Sequence, residues 1–200
     1  MVDVLTIKVI TGSTRQNRFS EKPAHWIFDA LQKREGVKAE LLDLRDYPMP
    51  FYDDARSPSM IKDGSYSDDA VKKWAAKIGE ADGFIIVTPE YNHGYSAVLK
   101  NALDSVYYEW NNKAVGFVSW GSAMGARSVE QLRQVAVELQ MASIRNAIHL
   151  PWDYVAKLGP EKTPVSPDMF GPMNDKIPGF LDQLFWWTKA LKAARESKAD

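Results

Sequence analysis

The chain contains no cysteine. Disulfides, thiolate nucleophiles, iron–sulfur ligation and zinc–thiolate sites are excluded together. Histidine is scarce as well: His25, His93 and His149 stand far apart, with no clustered carboxylate partners to build a metal site. No apolar run approaches the roughly 20 residues needed to cross a bilayer, so no membrane partner is expected. An excess of one charge is also missing. With 25 basic and 26 acidic residues the net charge is −1, which argues against a dedicated nucleic-acid binder. Repeats, low-complexity tracts and interdomain linkers are absent, and 45% hydrophobic with 26% charged residues is a globular composition. One domain spanning residues 1–200 is expected. A strand follows Met1 almost at once, so no signal or transit peptide is expected, and a cytoplasmic location is.

What is present starts with Ile7-Lys8-Val9-Ile10-Thr11, a β-branched run, followed by Gly12-Ser13-Thr14-Arg15-Gln16-Asn17-Arg18-Phe19-Ser20. Ala24, Ile27, Phe28 and Leu31 then repeat at helical spacing. Strand, polar loop and helix N-terminus together form a phosphate-binding geometry, because free backbone N–H groups and the positive helix end converge there. Ser13, Thr14 and Ser20 add hydroxyls, and Arg15 and Arg18 add charge-assisted donors. A polar surface turn with two solvated arginines is the competing description of the same stretch.

Further along, Gly36 is expected to end that helix, and Lys38–Leu44 reads as a second strand. The loop Asp46–Asp54 carries Tyr47, Met49, Phe51 and Tyr52, large apolar groups that need something to pack on. Ser67-Asp68-Asp69 introduces a helix marked by Val71, Trp74, Ala75 and Ile78. Gly83–Thr88 is apolar throughout, as expected of a strand buried on both faces. A loop Pro89–Ser96, a helix with Leu99, Ala102, Leu103 and Val106, and a strand Ala114–Trp120 come next. A loop through Gly125, a helix with Val129, Leu132, Ala136 and Leu139, and a more polar strand at Ser143–His149 follow; the last suits a sheet edge. Six of the eleven prolines fall between Pro151 and Pro178, which predicts an extended surface excursion before a closing helix from Ile177. Alternating strands and helices give a doubly wound α/β sandwich.

In such a sheet ligands bind outside the carboxyl ends of the strands. The loops Gly12–Ser20, Pro89–Ser96 and Ser119–Gly125 all meet that criterion and are rich in glycine, hydroxyls or amides. A phosphate on the first and a polar planar ring across the others would describe a mononucleotide. Other chemistries fail on residue grounds. The first loop lacks both Gly-x-Gly-x-x-Gly and a Gly-Lys-Ser/Thr ending. No Gly-x-Ser-x-Gly is present for a serine hydrolase.

Gly12-Ser13-Thr14-Arg15, then Pro89-Glu90-Tyr91-Asn92 with Leu99-Lys100-Asn101-Ala102-Leu103-Asp104, and finally Gly125-Ala126-Arg127 with Gln131-Leu132-Arg133 carry a family likeness. In this order and spacing, over about residues 5–141, the chain resembles the NADPH-dependent FMN reductases, a family with quinone, azo-dye and chromate reductases among its members. The resemblance implies a flavodoxin-like three-layer sandwich with a five-stranded parallel sheet in the order 2-1-3-4-5. It also implies bound FMN reduced by NADPH, or by NADH, and a ping-pong cycle that delivers hydride to a quinone-like or other small acceptor or to free flavin.

By motif position Ser13, Arg15, Arg18 and Ser20 would hold the FMN phosphate, helped by the backbone of Gly12 and Thr14. Pro89, Glu90, Tyr91 and Asn92 would line the isoalloxazine, with Ser119 and Gly121 on its other side. No side chain is assigned a catalytic role, since the flavin N5 carries the chemistry and the protein only positions and tunes it. For Glu90 a salt bridge or loop hydrogen bond is the expected role. Tyr95-Ser96-Ala97-Val98 replaces the Pro-Gly common in relatives, and Met124-Gly125 a double glycine. Aromatic groups at Tyr47–Tyr52, Tyr107–Trp110 and Trp186-Trp187 predict a homo-oligomer, and the family resemblance implies a homodimer or homotetramer. A flavodoxin-type electron carrier is the alternative function; it would bind FMN without turning over NADPH.

Overall fold

The computed structural model describes residues 4–158 and 167–197. Five strands, β1 (Leu5–Thr11), β2 (Val37–Asp43), β3 (Gly83–Pro89), β4 (Ala114–Trp120) and β5 (Ala142–Leu150), pair in the order β2-β1-β3-β4-β5. All four pairings are parallel, the register running from Leu5 opposite Val37 to Trp120 opposite Leu150. This is the expected flavodoxin-like order. Among the described residues six helices connect and flank the strands: α1 (Glu21–Gln32), α2 (Asp69–Gly79), α3 (Ala97–Asp104), α4 (Ala126–Glu138), α5 (Trp152–Leu158) and α6 (Ile177–Glu196).

The period-two pleat of β3 shows how the layers are made. Phe84 and Ile86 pack with α2, α3 and α4 on one face, while Ile85 and Val87 pack with α1 and α6 on the other. Every residue of β3 and β4 is buried, so the apolar runs of the sequence are the sheet's centre. β5 lies at one edge, as its polarity predicted. The exception is Lys8 in β1, fully buried, whose ammonium reaches Glu40 and, at 2.7 Å, Glu80. A buried cation persists only when paired in this way.

Local chemistry sets the element ends. The Asp68 carboxylate caps α2 by accepting from Ala70 N (2.8 Å) and Val71 N (3.1 Å), as the Ser67-Asp68-Asp69 run predicted. α1 stops at Gln32 rather than at Gly36, which instead turns the chain into β2 with φ +71°. Of the loop apolars, Tyr47 is buried edge-on against Trp74 at 5.0 Å and Met49 is partly buried, whereas Phe51 stays 81% exposed.

The stretch from Pro151 to Pro178 departs from the predicted excursion. Its residues 159–166 lie outside those described, but the remainder forms α5 and a pair of tight 3₁₀ turns kinked at Gly171. Phe170 is fully buried, 4.8 Å from the Trp26 ring of α1, and Trp26 Nε1 donates to Asn174 Oδ1 at 2.8 Å. A segment anchored by single aromatic contacts carries no periodicity, which is why its sequence resembles surface loop.

Candidate active site at the carboxyl ends of the strands

The loop after β1 lies pressed against β3. Gly12 N donates to Val87 O at 2.8 Å, and a Cβ there would sit 2.9 Å from that same oxygen. Only glycine permits this approach. Ser96 Oγ donates to Gly12 O at 2.5 Å and also caps α3 by accepting from Leu99 N at 3.3 Å. Ser13 Oγ lies 3.0 Å from Tyr91 Oη, within hydrogen-bond reach. The first two loops are therefore joined at two points.

The two loop arginines have different fates. Arg18 is buried: its Nη1 donates to Asp43 Oδ1 (2.7 Å) and to Ser13 O, its Nη2 to Asp43, and its Nε to Glu21 Oε1 (3.1 Å). Burial alone would lower its pKa, but Asp43 and Glu21 hold it above its ordinary value. Burial likewise opposes ionisation of Asp43, yet Arg18 and the Arg45 N–H keep that carboxyl below the usual range. Arg18 thus fastens the loop to the end of β2. Its donors face these protein partners, although Arg18 also lines the cavity that the strand-end loops surround. Arg15 is exposed, and among the described residues its guanidinium makes no hydrogen bond or ion pair. Ser20, immediately before α1, is fully buried and its hydroxyl has no partner.

The second loop turns on Asn92 and His93, both left-handed with φ +50° and +71°, and closes through Tyr91 N to Gly94 O at 2.8 Å. Asparagine tolerates that conformation, so Asn92 serves the turn and points outward. Glu90 ion-pairs with Arg127 of α4, confirming the salt bridge expected of it. In the third loop, a Cβ on Gly121 would lie 2.7 Å from Glu90 Cβ. Ser119 Oγ donates to Met124 O at 2.9 Å, and His149 Nδ1 lies 2.9 Å from the same hydroxyl. Burial, first among the causes, lowers the His149 pKa.

These loops surround a cavity of about 330 Å³. Of the sequence-derived candidates, Arg15, Arg18, Pro89, Glu90, Tyr91 and Gly121 line it. Gly12, Ser13, Ser20 and Ser119 are buried outside its wall, and Thr14 and Asn92 are exposed. Phe19, Trp120, Trp152 and Val155 also line the cavity but were not among the candidates. Phe19 and Trp120, like Asn17, which is also on the wall, lie within the predicted loops; the α5 pair lay within the misread stretch. Among the described residues no three or more histidines, aspartates and glutamates gather as metal ligands.

A family model described as NADPH-dependent FMN reductase matches residues 5–153. The chain belongs to that family. An NAD(P)H-dependent FMN reductase of Schizosaccharomyces pombe is 39% identical over 153 residues, 76% of either chain. An NAD(P)H:quinone oxidoreductase of Solanum tuberosum is 34% identical over 143 residues, 69% of this chain and 70% of that one. Among solved structures, a flavoenzyme NAD(P)H:(acceptor) oxidoreductase of Paracoccus denitrificans shares the fold, with a TM-score of 0.61. At 19% identity it covers 90% of this chain and 99% of that one.

The site suits the cofactor in the family's name. An uncommitted arginine and an orphaned buried hydroxyl at a helix N-terminus are a donor set for an anionic group. Aromatic and backbone surfaces beside them suit a planar ring. No helix among the described residues is long and apolar enough to cross a membrane.

Proposed function

We propose that this member of the NADPH-dependent FMN reductase family binds FMN in the cavity at the strand ends. It would oxidise NADPH or NADH and reduce a quinone-like or other small acceptor, or free flavin. The observation that carries the reading is the convergence of the three strand-end loops on one cavity, with the Arg15 guanidinium on its wall left without a partner among the described residues. Arg15 and the backbone N–H groups of Ser13 and Thr14 hold the phosphate, the Gly12 N–H being spent on Val87 O. Arg18 and Asp43 keep that loop in shape. Pro89, Glu90 and Tyr91 support one side of the ring and Gly121 the other. When bound, FMN supplies hydride acceptance at N5, so the side chains need only bind, orient and exclude water. With one cavity serving both substrates, the oxidised nicotinamide leaves before the acceptor enters, a ping-pong order.

A homodimer or homotetramer belongs to the same reading. Tyr47 and Trp110 are buried in the core, whereas Phe51 (81%), Tyr108 (36%), Trp186 (65%) and Trp187 (39%) of the expected aromatic groups are exposed, as is Met60 (72%). Tyr108 Oη donates to Ser59 O at 2.8 Å, placing Met60 close to it. Light scattering at micromolar concentration should return a multiple of the chain mass.

The decisive experiment is anaerobic mixing of the FMN-loaded protein with NADPH. Rapid loss of the visible flavin absorption is expected, and its return on adding a quinone. A flavin that binds but is not bleached would favour an electron carrier. A protein that cannot be reconstituted with FMN would refute both.

A further inference from the structure

The family match ends at residue 153, one residue after α5 begins. The helix lies almost wholly beyond the part of the chain that the family accounts for. Even so, Trp152 and Val155, three residues apart on one helix face, line the cavity. α5 is held there by contacts to α1 and the following turns. Lys22 Nζ donates to Leu158 O at 2.5 Å. The Tyr154 ring lies 5.6 Å from that of the buried Phe170. This anchor ties the helix to the same α1 that begins at the phosphate loop.

Trp152 is 53% exposed although it sits beside this anchor. An indole left half open on a cavity wall offers an aromatic face to whatever occupies the cavity. The cavity it faces is shared with Arg15, with Tyr91 and with Trp120, itself only 5% exposed. A planar ligand whose phosphate end reaches Arg15 would therefore lie within reach of the indole.

We propose that Trp152 is a flavin-contacting residue whose indole closes the cavity over bound FMN and helps set cofactor affinity. This rests on the FMN reading above and adds to it a wall carried by a helix that runs on past the end of the matched residues. Stacking on an aromatic face needs no hydrogen bond, so the contact adds affinity without a polar group to satisfy. Val155 extends the same apolar surface.

The test is FMN titration of the apoprotein for the wild type, Trp152→Phe and Trp152→Ala, followed by flavin fluorescence. Trp152→Ala should weaken binding about tenfold and Trp152→Phe by no more than about threefold, the pattern of one lost stacking partner. Emission of the bound flavin should rise in Trp152→Ala, because an indole in contact quenches it. The melting temperature of the apoprotein should hardly change, since the side chain is half exposed. Should the alanine variant fail to fold, Trp152→Leu, which keeps bulk and removes the ring, is read in its place. A wild type that does not bind FMN refutes the cofactor reading itself. Wild-type binding matched by equal binding and emission in Trp152→Ala overturns the role of Trp152 alone, even if the KM for an acceptor shifts.

Discussion

Arg127 Nε donates to Glu90 Oε1 at 2.6 Å while the Arg127 backbone N–H donates to Glu90 Oε2 at 3.3 Å. One carboxylate thus binds both the side chain and the first turn of α4, and the Glu90 side chain is only 3% exposed. It joins the second site loop to the helix that follows the third. Arg127→Ala should leave a buried carboxylate unpaired and cost about 1–3 kcal/mol of stability, read by urea unfolding. Glu90→Gln, which keeps the acceptor at the α4 amides, should cost less. Equal losses in the two variants would contradict a role for the helix end.

Arg15 and Arg18 should separate ligand binding from loop integrity. Arg15→Ala is expected to weaken FMN binding by about 1.5–3 kcal/mol, the scale of a charged hydrogen bond, without altering the unfolding of the apoprotein. Arg18→Met strands Asp43 and should destabilise the apoprotein by about 3 kcal/mol. Calorimetry with and without FMN gives both numbers. An Arg18 variant of wild-type stability would return that residue to the phosphate site.

Lys113 gives stability a rise with pH. Its ammonium donates to Ile78 O (2.8 Å) and Gly79 O (3.0 Å) at the end of α2. Burial, assisted by Arg195, pushes its pKa from 10.5 down to about 7. Between those values the unfolded chain holds the proton and the folded chain has lost it. Stability contributed by this group should therefore increase from about pH 7 towards pH 10, by roughly 1 kcal/mol per unit. Urea midpoints across that range should show the slope in the wild type and lose it in Lys113→Met.

His149 should act in the same direction, lower on the pH scale. Its pKa is lowered from 6.5, chiefly by burial, so the unfolded chain takes up a proton first as pH falls below that value. Stability is then lost as pH drops through the folded pKa. His149→Phe should flatten that decline. It should also weaken FMN binding a few-fold by releasing the Ser119 hydroxyl that holds Met124, about the effect of one neutral hydrogen bond. Isothermal titration at neutral pH measures the second effect without the first.

The central strands and the three loops were legible because their signals are local. Gly83–Thr88 and Ala114–Trp120 are apolar without interruption, and the strand-order reversal gathers the loops that follow the strands. The ion pair of Arg18 was hidden for a non-local reason. Its partner Asp43 lies 25 residues away, and an arginine in a phosphate-type loop looks the same whether it faces a ligand or a neighbouring strand. The α5 wall escaped notice because Trp152 and Val155 make sense only once Phe170 has fixed the helix onto α1. Arg127 was visible within a motif, but its pairing with Glu90 spans 37 residues.

Ser96 gives its proton to Gly12 O and receives one from the first turn of α3. One hydroxyl therefore belongs at once to a helix cap and to the phosphate cradle. Fraying of that helix end and opening of the cradle become a single cooperative event. Solvent exchange of the amides in the two places should share one opening rate, and an anion settling into the cradle would slow both together.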